Sequence, residues 1–126
     1  MQLHLNPSAG LHLVRQVAPG RVVLTSGDWS QSFLLCPKQG PRAFPAATVA
    51  DLAEAHFSEV LAEAPDILLL GTGTQLQFPG AELRARLMAA RVGLEVMDNA
   101  ACARTFNVLA GESRSVMAIF LLPVSP

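Results

Sequence analysis

The stretch Ile67-Leu68-Leu69-Leu70-Gly71-Thr72-Gly73-Thr74 decides the fold. An apolar run without polar alternation is the pattern of a strand buried on both faces, found in parallel or mixed sheets. Such a sheet needs helices on its faces, and the flanking sequence supplies them. Upstream, Ala53, Phe57, Val60, Leu61 and Ala64 fall on one stripe of a helix predicted over about 49–64. Glu54, Glu59 and Glu63 lie off that stripe, and Pro65-Asp66 stops the helix. Downstream, Pro79-Gly80 precedes a second predicted helix, from Ala81 to about Arg91, with Leu83, Leu87 and Ala90 inward. Leu94–Met97 reads as the next strand. Asp98 or Asn99 would cap a third helix running to about Leu109, and Gly111 ends it. Ser115–Leu122 is the last strand, so the order after residue 48 is α-β-α-β-α-β, an α/β fold with right-handed crossovers.

The N-terminal third has a different rhythm. After a loose terminus over residues 1–10, the runs Leu11–Val17, Arg21–Thr25 and Gln31–Cys36 are separated by turns at Pro19-Gly20 and Gly27-Asp28. They predict an antiparallel meander that extends the main sheet or folds over its edge. The proline-rich stretch from Pro37 to Pro45 reads as a connecting loop. With no internal repeat and no linker, residues 1–126 read as one domain.

Composition narrows the function classes. The chain has 126 residues, 51% hydrophobic and 15% charged, with nine Lys+Arg against ten Asp+Glu. A balanced charge argues against phosphate-neutralising nucleic-acid binding. A charged fraction below the usual ~25% leaves a surface for a partner to cover. No run reaches the ~20 apolar residues of a membrane helix, and the N-terminus has neither a secretory nor an organelle pattern. Cys36 and Cys102 are the two cysteines, too few for a disulfide framework, so a cytoplasmic setting is expected. The three histidines, His4, His12 and His56, have no ligand spacing, so neither a metal nor a cofactor is expected.

Ligands in open α/β sheets collect beyond the carboxyl ends of the strands. Two segments fall there, Gly71-Thr72-Gly73-Thr74 and Asp98-Asn99-Ala100. Gly71 and Gly73 would free the backbone to form an anion nest, against the plainer reading of a structural turn. Around the second segment gather Cys102, Arg104, Thr105, Asn107, Glu112 and Arg114. Cys102, in the first turn of its helix, would gain thiolate character from the helix dipole, but as a small residue between Ala101 and Ala103 it fits a buried site. Arg104 would either hold an anion in its fork or pair with Asp98 or Glu112, and the pair is favoured. Trp29, beside a turn, is an edge plug of the core or an interface anchor.

Leu70-Gly71-Thr72-Gly73-Thr74 together with the run from Glu95 through Asp98-Asn99-Ala100-Ala101-Cys102-Ala103-Arg104-Thr105-Phe106-Asn107 to Leu109 resembles the Mth938-like domain family, over about Leu11 to Leu122. The resemblance implies a single three-layer α/β domain around a mixed sheet. It carries over Gly71, Gly73, Asp98, Arg104, Thr105, Asn107, Glu112 and Arg114 as motif positions. Asn99 stands where a Thr is usual and Ser113 where a Gly is usual. Because relatives in the family include a mitochondrial assembly factor for complex I, the resemblance implies a non-enzymatic protein-binding or assembly module, with self-association compatible. The alternative is a small-molecule or anion site, with or without a reaction, between loops 71–74 and 98–104.

Overall fold

A computed structural model describes residues 10–112 and 114–123. The expected loose terminus, up to residue 9, lies outside the described residues, and so does Ser113. Strands β1 (Val14–Ala18), β2 (Arg21–Leu24) and β3 (Gly27–Trp29) form a small antiparallel sheet in the order β1-β2-β3. Strands β4 (Phe33–Cys36), β5 (Gly40–Ala43), β6 (Ile67–Gly71), β7 (Gly93–Met97) and β8 (Val116–Phe120) form a five-stranded mixed sheet, β5-β4-β8-β6-β7. The run Ile67–Leu70 lies within β6, which pairs parallel with both β7 and β8. That double pairing explains its unbroken apolar character, since neither face nor either edge meets water.

Side-chain parity then divides the core. Phe33, Leu35, Leu69, Val116, Ala118 and Phe120 point to one side, against helix α3 (Asn99–Gly111) and the small sheet. Leu34, Cys36, Leu68, Leu70, Met117 and Ile119 point to the other, against helices α1 (Ser58–Glu63) and α2 (Ala81–Ala89). The mixed sheet is thus the middle of three layers, as the α/β reading expects. Phe33 and Phe120 stack across β4 and β8 with centroids 5.0 Å apart, and Trp29 closes the end of that stack at 5.3 Å from Phe33.

Four expectations need correction. Gly27-Asp28 is not the second turn: the hairpin closes at Leu24↔Gly27 around Thr25-Ser26, and Gly27, at φ +140°, begins β3. The run Gln31–Cys36 does not continue the meander, because Phe33–Cys36 pairs antiparallel with β8 and so extends the main sheet. The stretch Pro37–Pro45 is not all loop, for it contains β5; as an edge strand β5 accepts Pro41, whose missing N–H removes no bond from the ladder. Finally, the helix over 49–64 is broken into 3₁₀ turns at Val49–Asp51 and Glu54–Phe57 and the short α1, with Leu52 and Ala53 extended. At the break His56 Nδ1 accepts from Ala53 N–H at 3.1 Å, a side-chain partner for a backbone group, while Thr48 Oγ1 donates to Asp51 Oδ2 at 2.9 Å across the first turn. Phe57 and Val60 are still buried and Leu61 half-buried, but Ala53 and Ala64 face solvent.

Ala64 ends α1 in the left-handed conformation, at φ 46° and ψ 60°, where a Cβ is unfavourable. Ala64→Gly is expected to stabilise the fold by about 0.5–1 kcal/mol, seen as a higher urea midpoint with an unchanged slope.

Candidate functional site

The parallel strands β6, β7 and β8 deliver three loops to the same end of the sheet, and Asn99 joins them. Its Oδ1 accepts from Gly73 N–H at 3.1 Å, its Nδ2 donates to Leu121 C=O at 3.0 Å, and its own N–H donates to Gly73 C=O at 2.8 Å. Leu121 N–H donates in turn to Gly71 C=O at 2.9 Å. The neighbouring Asp98 is the helix cap, accepting Ala101 N–H at 2.8 Å. Asn99 is therefore not a second candidate cap. It is 4% exposed, and both its amide atoms are bonded.

This arrangement gives Gly71 a role different from the one its sequence suggests. Gly71 is not in the left-handed region; only Gly73 is, at φ +97°. A Cβ at position 71 would overlap Asn99 Oδ1 and come within 3.1 Å of Cys102 Cβ, so the constraint is close approach. Thr72 orders the rest of the loop. Its hydroxyl donates to Gln75 C=O at 2.6 Å and accepts Gln77 N–H at 3.2 Å, while its own N–H donates to Met97 C=O at 2.9 Å. The amides of Thr72 and Gly73 are thus bonded within the protein and are not free to serve an anion nest.

A cleft of about 420 Å³ opens beside these loops. Gly73, Thr74, Asp98 and Asn99 line it, with the β1–β2 turn Val17–Gly20 and the segment Leu121–Pro123 completing its walls. The sequence reading missed both completing segments. Pro19-Gly20 is legible as a turn, but nothing in the sequence says that the small sheet folds over the strand ends.

The other candidates sit elsewhere. Asn107 clasps β1 from α3, accepting Val14 N–H at 2.9 Å and donating to Val14 C=O at 2.8 Å. It substitutes for a neighbouring strand next to the irregularity between Val14 and Gln16. Thr105 is half-buried on the same helix, and Arg104 and Glu112 are exposed. Among the described residues the ion pairs are Arg21–Asp28, Arg42–Glu59 and Arg86–Glu54, so the expected pairing of Arg104 with Asp98 or Glu112 is not formed. Arg114 lines a different cleft with Lys38, at the opposite end of the sheet.

Cys102 is fully buried, and burial pushes its thiol well above the usual range, with the Asp98 carboxylate adding to the shift. The dipole-activated thiolate is therefore not the state of this residue. Cys36 is also raised by burial, against a lowering by the guanidinium of Arg42, whose NH2 donates to Sγ at 3.4 Å. Among the described residues no three His, Cys, Asp or Glu side chains converge as metal ligands. Phe78 and Met88 escaped the sequence reading, although helical spacing puts Met88 on the outward stripe of Arg84 and Arg91.

Asn99→Ala leaves Gly73 N–H and Leu121 C=O without partners and is expected to cost roughly 2–4 kcal/mol. Gly71→Ala alone is expected to cost about 1–3 kcal/mol, and about 1 kcal/mol less in the Asn99→Ala background, because the overlapping oxygen is gone. Chemical denaturation of the four proteins measures that cycle. For Cys102, the folded state keeps its proton at a pH where an unfolded thiol loses it. Stability is therefore insensitive to this group below roughly pH 8.5 and falls above it, by up to about 1.4 kcal/mol per pH unit. Denaturation midpoints from pH 7 to 10 should decline less steeply in Cys102→Ala.

With the geometry established, similarity places the protein. The family described as "Protein of unknown function (DUF498/DUF598)" matches residues 14–121. A Xanthomonas campestris protein solved by NMR is 34% identical, with a TM-score of 0.82, covering 97% of this chain and 92% of its own. A Bordetella pertussis protein described as a Mth938-like domain is 27% identical, with a TM-score of 0.80 and the same coverage of 97% and 92%. A Francisella tularensis relative named "13 kDa major membrane protein" is 24% identical over 108 residues, 85% of this chain and 88% of its own. Among the described residues of this chain, no helix is long and apolar enough to cross a membrane. The match over residues 14–121 makes this chain a member of the DUF498/DUF598 family of Mth938-like domains.

Proposed function

We propose that the protein is a binding module for another polypeptide, with a role of the assembly-factor kind. The observation that carries this reading is apolar surface beside an open sheet edge. Phe78 is 62% exposed and Met88 76% exposed, and both line a groove of about 510 Å³ along β7, the outer strand of the sheet. Single exposed apolar residues such as Leu76 and Val108 are ordinary. Two large ones sharing a groove with the free edge of a strand are what partner surfaces look like. The family-motif residues support the same reading from the other side, since Asp98 caps α3 and Asn107 holds β1, and the neighbouring Cys102 is sealed in the core. Free, buried Cys36 and Cys102 fit residence in the cytoplasm.

A second reading, a small-molecule site in the cleft beside Asp98 and Gly73, is favoured by that cleft's position beyond the strand ends. Its ligand would meet the Asp98 carboxylate and apolar walls rather than an anion nest.

The protein-binding reading is tested by capture from extracts of the native cell, with the unmodified protein and Phe78→Ser/Met88→Ser compared side by side. The expected result is a partner retained by the first and lost by the second, with equal thermal midpoints. Retention of every partner by the double variant would overturn this choice of surface.

A further inference from the structure

The free side of β7 has a fixed hydrogen-bonding pattern. Gly93 N–H donates to Asp66 C=O at 3.0 Å, and Met97 C=O accepts Thr72 N–H at 2.9 Å. Odd positions therefore bond toward β6, and the N–H and C=O groups of Leu94 and Val96 face outward. The side chains of Leu94 and Val96 lie half-buried on the α2 side of the sheet, where they pack against the Leu68 and Leu70 cluster. Phe78 and Met88 continue that apolar surface, and Arg84 and Arg91 line the same groove. Among the described residues neither Arg is in an ion pair. Glu95 also lines the groove, but its register with Leu69, whose side chain packs on the opposite face, turns its carboxylate away from the α2 side, where Arg84 and Arg91 set the charge. Arg91 also holds the left-handed conformation, at φ 62°, a strain that Gly would relieve, at the point where the chain turns into β7.

We propose that this groove takes an extended, acidic segment of another polypeptide as a sixth strand on β7, its alternate apolar side chains against Phe78 and Met88 and its carboxylates on Arg84 and Arg91. The inference rests on the protein-binding reading above and specifies its partner. A second copy of this chain fits poorly. Antiparallel pairing of β7 with itself at greatest overlap sets Leu94 opposite Val96 and Glu95 opposite Glu95, with both copies bringing the same two arginines. A strand that places an uncharged residue opposite Glu95 and its carboxylates toward Arg84 and Arg91 meets neither conflict, and edge addition supplies backbone bonds to the outward groups of Leu94 and Val96.

The test uses a fluorescent ten-residue peptide alternating Val and Thr with two Glu at each end, read by anisotropy against the full chain. Three comparisons accompany it: the same peptide with Lys ends, the same peptide N-methylated at alternate amides, and the protein variant Arg84→Glu/Arg91→Glu. The Glu-ended peptide is expected to bind about ten-fold more tightly than the Lys-ended one, with the preference reversed in the variant. N-methylation is expected to weaken binding by about ten-fold or more. Equal binding of Glu and Lys ends, or no loss on N-methylation, overturns the acidic strand while leaving the protein-binding reading intact. Absence of binding to any of the peptides, alongside a captured partner sensitive to Phe78→Ser/Met88→Ser, does the same. A light-scattering mass of two chains at the assay concentration overturns it in favour of self-pairing. Arg84 and Arg91 are exposed, and a matching thermal midpoint confirms that the variant is folded.

Discussion

The buried side chain of Asn99 is the constraint on which the working end of this fold depends. Three parallel strands emerge side by side, and each must turn back without leaving backbone groups unpaired in a dry place. One amide, presenting an acceptor to Gly73 and a donor to Leu121, fixes two of the turns to the start of the helix that follows the third. An unpaired buried amide or carbonyl costs on the order of 1–3 kcal/mol, so the loops are held by necessity. Gly71 follows from the same arrangement, because the carboxamide occupies the volume that a Cβ would need.

A second asparagine repeats the solution at a distance. Asn107 sits two helical turns along α3 and offers its carboxamide to Val14 as a strand would. One helix thereby anchors the strand-end loops and the small sheet together, which places the β1–β2 turn over the loops and makes a cleft where two sheets meet. The residues with a family signature in the sequence thus prove, in good part, to be those that organise backbone. A small chain with few charges has limited means of fastening layers, and side-chain amides that mimic peptide groups do so without adding a charge to be desolvated.

The architecture was legible where a single periodicity governed a segment. Ile67–Leu70, Leu83 with Leu87, and Val116–Phe120 could be placed because burial on one or both faces dictates apolar spacing. The reading failed where short-range bonding overrode that spacing. The bond from Ala53 N–H to His56 interrupts a helix that Phe57, Val60 and Leu61 still mark by their stripe, and Pro41 concealed a strand that its edge position permits. The site was less legible for a different reason. Asp98, Asn99, Gly71 and Gly73 could be gathered from the strand ends, but which of them would be sealed and which exposed depends on contacts between residues far apart in sequence. Gly73 with Asn99 and Ser32 with Leu122 are such contacts. Arg104 shows the limit most plainly, since its spacing to Asp98 and Glu112 suggested a pair that the helix surface does not form.

The two borders of the five-stranded sheet are unlike one another. Along β5 the Pro41 nitrogen has no hydrogen to offer, and Gly40 and Ala43 complete a strand of four residues; along β7 the outward donors and acceptors alternate without a gap. Within the five-stranded sheet, strand addition is therefore favoured along β7 and hindered at Pro41 along β5. A sheet with one receptive border and one hindered border favours a closed pairing over open-ended growth through that sheet.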